Sequence, residues 1–87
     1  MTYPPDTEAR VRVPSNHLMV ELLGTRDVHL RRVENAFRHA RLVARGTEID
    51  ITGDEHEIVL AHTVIEELLV LVQEGQTLDA DQVDRII

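Results

Sequence analysis

A chain of 87 residues suffices for one domain, and a content of 43% hydrophobic and 29% charged residues is that of a soluble globular protein rather than a disordered tail. The absence of cysteine excludes disulfides and removes the usual thiolate ligands of structural zinc, while a formal net charge of −7 weighs against a domain that coats nucleic acid through bulk electrostatics. No apolar run approaches the roughly 20 residues of a membrane-spanning helix, and the opening MTYPPDTEAR lacks the basic flank and apolar stretch of a secretory signal, so a cytoplasmic location without a membrane partner is expected.

Residues 1–8 read as a flexible tail. From Ala9 to Val13 the side chains Ala9, Val11 and Val13 alternate with Arg10 and Arg12, the period of a half-buried strand, and Pro14 ends it. Ser15 or Asn16 can cap a helix whose apolar residues Leu18, Met19, Leu22 and Leu23 recur at helical spacing and which closes at Gly24. After the short link Thr25-Arg26, Asp27 can accept hydrogen bonds from the free amides of a second helix, predicted over about Val28 to Arg38. Its inner stripe is Leu30, Val33 and Phe37, and its outward stripe is Arg31, Glu34 and Arg38.

Ala40 to Arg45 and Thr47 to Thr52 alternate again about Gly46 and predict a hairpin, with Ile49 and Ile51 inward. On the outer face an acidic strand carrying Glu48 and Asp50 would balance the arginines of its two neighbours, Arg10 and Arg12 on one side and Arg41 and Arg45 on the other. Asp54 and Glu57 have capping-box spacing and open the longest helix. Ile58, Ala61, Ile65, Leu68, Leu69 and Val72 form its inner stripe, and Gly75 closes it. Leu60, Val64 and Leu71 form a second apolar stripe, either buried between the other helices or offered to a partner. Residues 76–87 start a further helix at Thr77 or Asp79 and stop at Val83, Ile86 and Ile87, apolar and uncapped, a second candidate interface.

The predicted order is β-α-α-β-β-α, an α+β arrangement of a three-stranded antiparallel sheet covered on one face by three helices. It matches the type I KH domain, whose helix–helix turn carries GxxG and grips a nucleic-acid backbone. The segments LLGTRDVHLRRVENAF and VARGTEIDITG, followed by the long apolar helix ending in VQEG, resemble the N-terminal KH-like domain of PhoH-family proteins in order and spacing. The resemblance implies a KH-like domain over residues 9–75, with residues 76–87 leading to a P-loop ATPase domain absent from this chain. ATP and Mg are expected only there, since GxxxxGK[ST] does not occur in this sequence, and no cofactor or enzymatic activity is expected of the fragment.

The charge is unevenly spread: residues 24–45 carry six Arg against two acids, and residues 46–87 carry one Arg against eleven. With no lysine, every cation is a guanidinium, suited to phosphate forks and base stacking. Gly24, Thr25, Arg26 and Asp27 stand where a KH domain has GxxG, and Asp27 replaces the second glycine as a helix cap that adds like-charge repulsion. Arg26, Arg31, Arg41, Val43 and Arg45 flank the groove expected between the second helix and the second strand, giving a binding set of Gly24, Thr25, Arg26, Arg31, Arg41, Val43 and Arg45 for weakly held single-stranded RNA. A solvated, salt-bridged face is the alternative use of those arginines. The second functional class is an assembly module that packs on the ATPase domain or on a second copy through Leu60, Val64, Leu71, Val83, Ile86 and Ile87, without nucleic acid. His17, His29, His39, His56 and His62 lack metal-ligand spacing, and no nucleophile with a base is found, so neither a metal nor a catalytic site is assigned.

Overall fold

In the computed structural model, which describes residues 8–87, the elements are β1 (Glu8–Arg12), α1 (Asn16–Leu23), α2 (Val28–Ala36), β2 (Ala40–Arg45), β3 (Glu48–Gly53), α3 (Glu55–Gln73) and α4 (Ala80–Ile86). A single 3-10 turn, Thr25–Asp27, joins α1 to α2. The fold is α+β with the expected β-α-α-β-β-α order and α4 added, and its antiparallel sheet has the order β1-β3-β2. The tail expected over residues 1–8 lies outside the described residues except for Glu8, which begins β1.

Local chemistry sets most of the boundaries. Pro14 has no amide to extend the strand, and Ser15, in extended backbone, takes the Leu18 N–H on its hydroxyl at 3.2 Å. At the far end of α3 the Gln76 N–H reaches Leu71 O and the Gly75 N–H reaches Val72 O, both at 3.0 Å, with Gly75 at φ 88. These crossed bonds are the Schellman closure that a C-terminal glycine permits. Asp79 and Gln82 form a reciprocal capping box at the start of α4.

The α3 start departs from the expected capping box. Asp54 accepts the Glu57 N–H at 3.0 Å, but Glu57 does not reach back. The Asp54 N–H is already held by His39 O at 2.8 Å, and Glu57 Oε1 instead accepts the His39 N–H at 3.0 Å. One residue of the α2–β2 connection, His39, is thus held at both its backbone N–H and its backbone C=O by the start of α3. This joint requires Gly53, because at φ 129 a Cβ there would stand 2.1 Å from His39 O.

The core lies between the sheet and the helices. Val11, Leu42, Ile49 and Ile51 meet Met19 and Leu22 of α1, Leu30 and Val33 of α2, and the whole predicted inner stripe of α3. Ile49, Ile51 and Leu68 are fully excluded from water, each contributing about 2 to 3 kcal/mol in transfer free energy. Phe37 is half-buried and packs against this cluster. The second stripe of α3 divides, with Val64 buried, Leu71 half-buried and Leu60 43% exposed.

The last helix is docked rather than free. Val83 has no exposed surface and Leu78 is buried beside it, so Val83 is a core residue and not the interface residue expected from its terminal position. Ile86 is half-buried and Ile87 exposed. A fork closes the contact: Arg32 Nε donates to Asp84 Oδ1 at 2.7 Å and Arg32 Nη2 to Oδ2 at 3.2 Å. The hydrogen bond from Arg32 holds the Asp84 carboxyl below the usual aspartate value, against a smaller opposing effect of desolvation. The described residues contain no helix long and apolar enough to cross a membrane.

Two outcomes follow. Gly53→Ala is expected to lose about 3 kcal/mol or more in urea unfolding followed by circular dichroism, whereas Gly46→Ala, whose Cβ meets nothing within 4 Å, loses about 1 kcal/mol. Because Asp84 has a lowered folded-state pKa, its contribution is full above the unfolded value and fades as pH falls through the lowered one. Acidifying from about pH 5 to about pH 2 therefore loosens α4 in amide-exchange measurements, and in Asp84→Asn this site's share of the pH dependence disappears.

Candidate nucleic-acid interface

The turn between α1 and α2 combines a glycine sequence requirement with a left-handed backbone. Gly24 has φ 77, and a Cβ there would stand 2.5 Å from Cδ2 of the buried His29 and 2.9 Å from Val28 Cγ1. Arg26 and Asp27 follow with φ 54 and φ 59, both in the region where non-glycine residues are uncommon, though Asp tolerates it better than most. The Asp27 N–H donates to Gly24 O at 3.1 Å and closes the turn.

Asp27 occupies the N-cap position of α2, but its carboxylate accepts no hydrogen bond from the helix amides. This corrects the expected cap. Ser15, Asp54 and Asp79, whose side chains do cap, all have extended backbone at that position, the geometry that aims a side chain at the second and third amides. The left-handed backbone of Asp27 lacks that aim. Asp27 therefore holds a backbone that glycine would favour, with a carboxylate attached.

Three adjoining depressions follow α2 from this turn to the start of β2, neighbours sharing Arg31 and Asn35 or Glu34 and Asn35, and make up the candidate groove. The first is lined by Thr25, Arg26, Val28, Arg31, Arg32 and Asn35, the middle by Asp27, Leu30, Arg31, Glu34, Asn35 and Leu42, and the last by Glu34, Arg38, His39, Arg41 and Thr52 among others. Period-two alternation puts Arg41, Val43 and Arg45 on the sheet face opposite Leu42. Arg41 reaches the groove at the strand start, and Val43 and Arg45, farther along the same face of β2, line none of these three depressions. Arg38, Glu34, Asn35 and His39 do line them. Arg38 and Glu34 were legible from the same three- and four-residue stripe that singled out Arg31.

Electrostatics divide the arginines into two groups. On the open sheet face Arg10 Nε lies 2.8 Å from Asp50 Oδ1 and 3.7 Å from Glu48 Oε1, and Arg12 Nε lies 3.4 Å from Glu48 Oε2. The acids of β3 are thereby engaged by β1, and although Arg45 faces Glu48 in register it forms no ion pair. Arg26, Arg31, Arg38 and Arg41 likewise have no ion-pair partner among the described residues. Those four line the groove. One carboxylate bonds within it: Glu34 Oε2 accepts the Leu42 N–H of the edge strand at 3.0 Å. No group of three His, Asp or Glu side chains that could hold a metal ion lies among the described residues.

Over 66 residues the chain is 38% identical to a PhoH-like protein of Mycobacterium bovis and to PhoH-like proteins of two strains of Mycobacterium tuberculosis. The match spans 76% of this chain and 18% of each relative, and supports a relation to the PhoH family. No family model matches the chain, and no solved structure matches it significantly.

If the Asp27 side chain carries no cap bond, Asp27→Gly should melt no lower than the parent protein, since glycine relieves a left-handed backbone. Asp27→Ala should lose about 1 kcal/mol in the same thermal or urea unfolding experiment.

Proposed function

We propose that this chain is an accessory KH-like module of a cytoplasmic PhoH-like ATP-binding protein, and that it holds single-stranded RNA beside an ATPase domain that carries the ATP and Mg. The observation that carries the reading is the set of four guanidiniums, Arg26, Arg31, Arg38 and Arg41, that have no ion-pair partner among the described residues and line the adjoining depressions starting at the GTRD turn. In a chain of net charge −7, four unneutralised cations on one path are a backbone-phosphate track, and Arg forks suit that ligand. Leu30 and Leu42 supply an apolar floor for bases. Among the described residues no Phe or Tyr lines the groove, so guanidinium planes do the stacking, and binding is weak and salt-sensitive.

The likeness to PhoH-like proteins supports the family part of this reading, and the KH-type element order supports the RNA part. Asp27 sets the affinity low: its carboxylate sits where a phosphate would approach the turn. The competing assembly reading retains Leu60 and Ile87 as exposed apolar residues, having lost Val64 and Val83 to the core.

Titrating a short single-stranded RNA at low salt should shift the amide signals of Gly24, Arg26, Arg31 and Arg41 and leave those of Val43 and Arg45 nearly still. Asp27→Gly should tighten binding about two- to fivefold by removing one like charge at the turn. Silence of these signals with both proteins at low salt would sink the RNA reading and leave the assembly reading in its place.

A further inference from the structure

Glu34 stands on α2 between Arg31 and Arg38, three residues after one and four before the other, yet forms an ion pair with neither. Its Oε2 instead takes the Leu42 N–H at 3.0 Å. β2 is an edge strand, and the neighbouring outward donor, the Ala40 N–H, is occupied by Phe37 O at 2.9 Å. The groove wall thus presents no open backbone donor at Ala40 or Leu42. At the same place it offers Glu34 Oε1, an anionic acceptor with no hydrogen bond among the described residues.

We propose that Glu34 determines which bases this groove accepts, selecting those that carry an exocyclic amino group, adenine, cytosine and guanine, over uracil. This deepens the RNA-binding reading and rests on it. An open strand edge would offer the Leu42 N–H, a donor, to a base. With Glu34 bonded there the wall becomes an acceptor instead. Adenine N6–H and cytosine N4–H donate to such an acceptor. Uracil has only N3–H to give, flanked by two carbonyl oxygens that a carboxylate repels. Arg31 and Arg38 on either side bind phosphate without regard to base, so the two functions separate by residue.

The test uses the 87-residue chain and three oligonucleotides of equal length, oligo(A), oligo(C) and oligo(U), at one low salt concentration. The parent protein should bind oligo(A) and oligo(C) about two- to tenfold tighter than oligo(U), the worth of one hydrogen bond made or refused. In Glu34→Gln the amide oxygen can keep the Leu42 N–H while the amide nitrogen turns a donor to the groove, and the preference should reverse toward oligo(U). Glu34→Ala should bring the three affinities within about twofold of one another. If Glu34→Gln and Glu34→Ala move all three affinities together with their ratios unchanged, Glu34 is only an edge-strand cap and a like charge, and the selectivity proposal is overturned while RNA binding stands. If no oligonucleotide binds the parent or either variant, the RNA reading and this proposal fall together.

Discussion

The position of β3 between β1 and β2 is the constraint on which the charge architecture depends. Alternation puts Ile49 and Ile51 into the core and Glu48 and Asp50 onto the open face, so the stretch from Glu48 to Ile51 anchors the hydrophobic cluster and supplies the sheet's acids at once. Those acids bond to Arg10 and Arg12 of β1. Among the described residues no carboxylate pairs with the arginines of β2, and Arg26 of the turn and Arg31 of α2 are likewise unpaired, whereas Arg32 is taken by Asp84. The basic groove is therefore a residue of how the sheet settles its own charges, and it survives in a chain whose net charge is strongly negative.

Much of the fold was legible because its signals are local. Ser15, Gly24, Asp54, Gly75 and Asp79 mark helix ends through backbone chemistry that acts over a few residues, and the two alternating runs around Gly46 could hardly be anything but a hairpin. The misread features depend on partners distant in the chain. Glu57 gives up its capping box because His39, 18 residues earlier, has taken the Asp54 amide and offers its own. Val83 looked terminal and apolar, and is buried because α4 folds back against α2.

Asp27 is the instructive case within the candidate site. Its residue type and its place before a helix both argue for a cap, and three other residues in the same chain with that placement do cap. The difference is one backbone dihedral, set by the tight GTRD turn, and no side-chain preference overrides it. The turn holds a charged residue in a backbone that suits glycine, so a carboxylate stands at a left-handed corner beside the arginines.

The Arg32–Asp84 fork gives α2 a second attachment. Arg31 and Arg32 are adjacent on one helix; the first lines the groove and the second grips α4. With Val83 buried as well, α4 is held to the body of the fold by an apolar contact and a charged fork together, so the helix that carries Arg31 is covered on one flank by the C-terminal segment and open on the other.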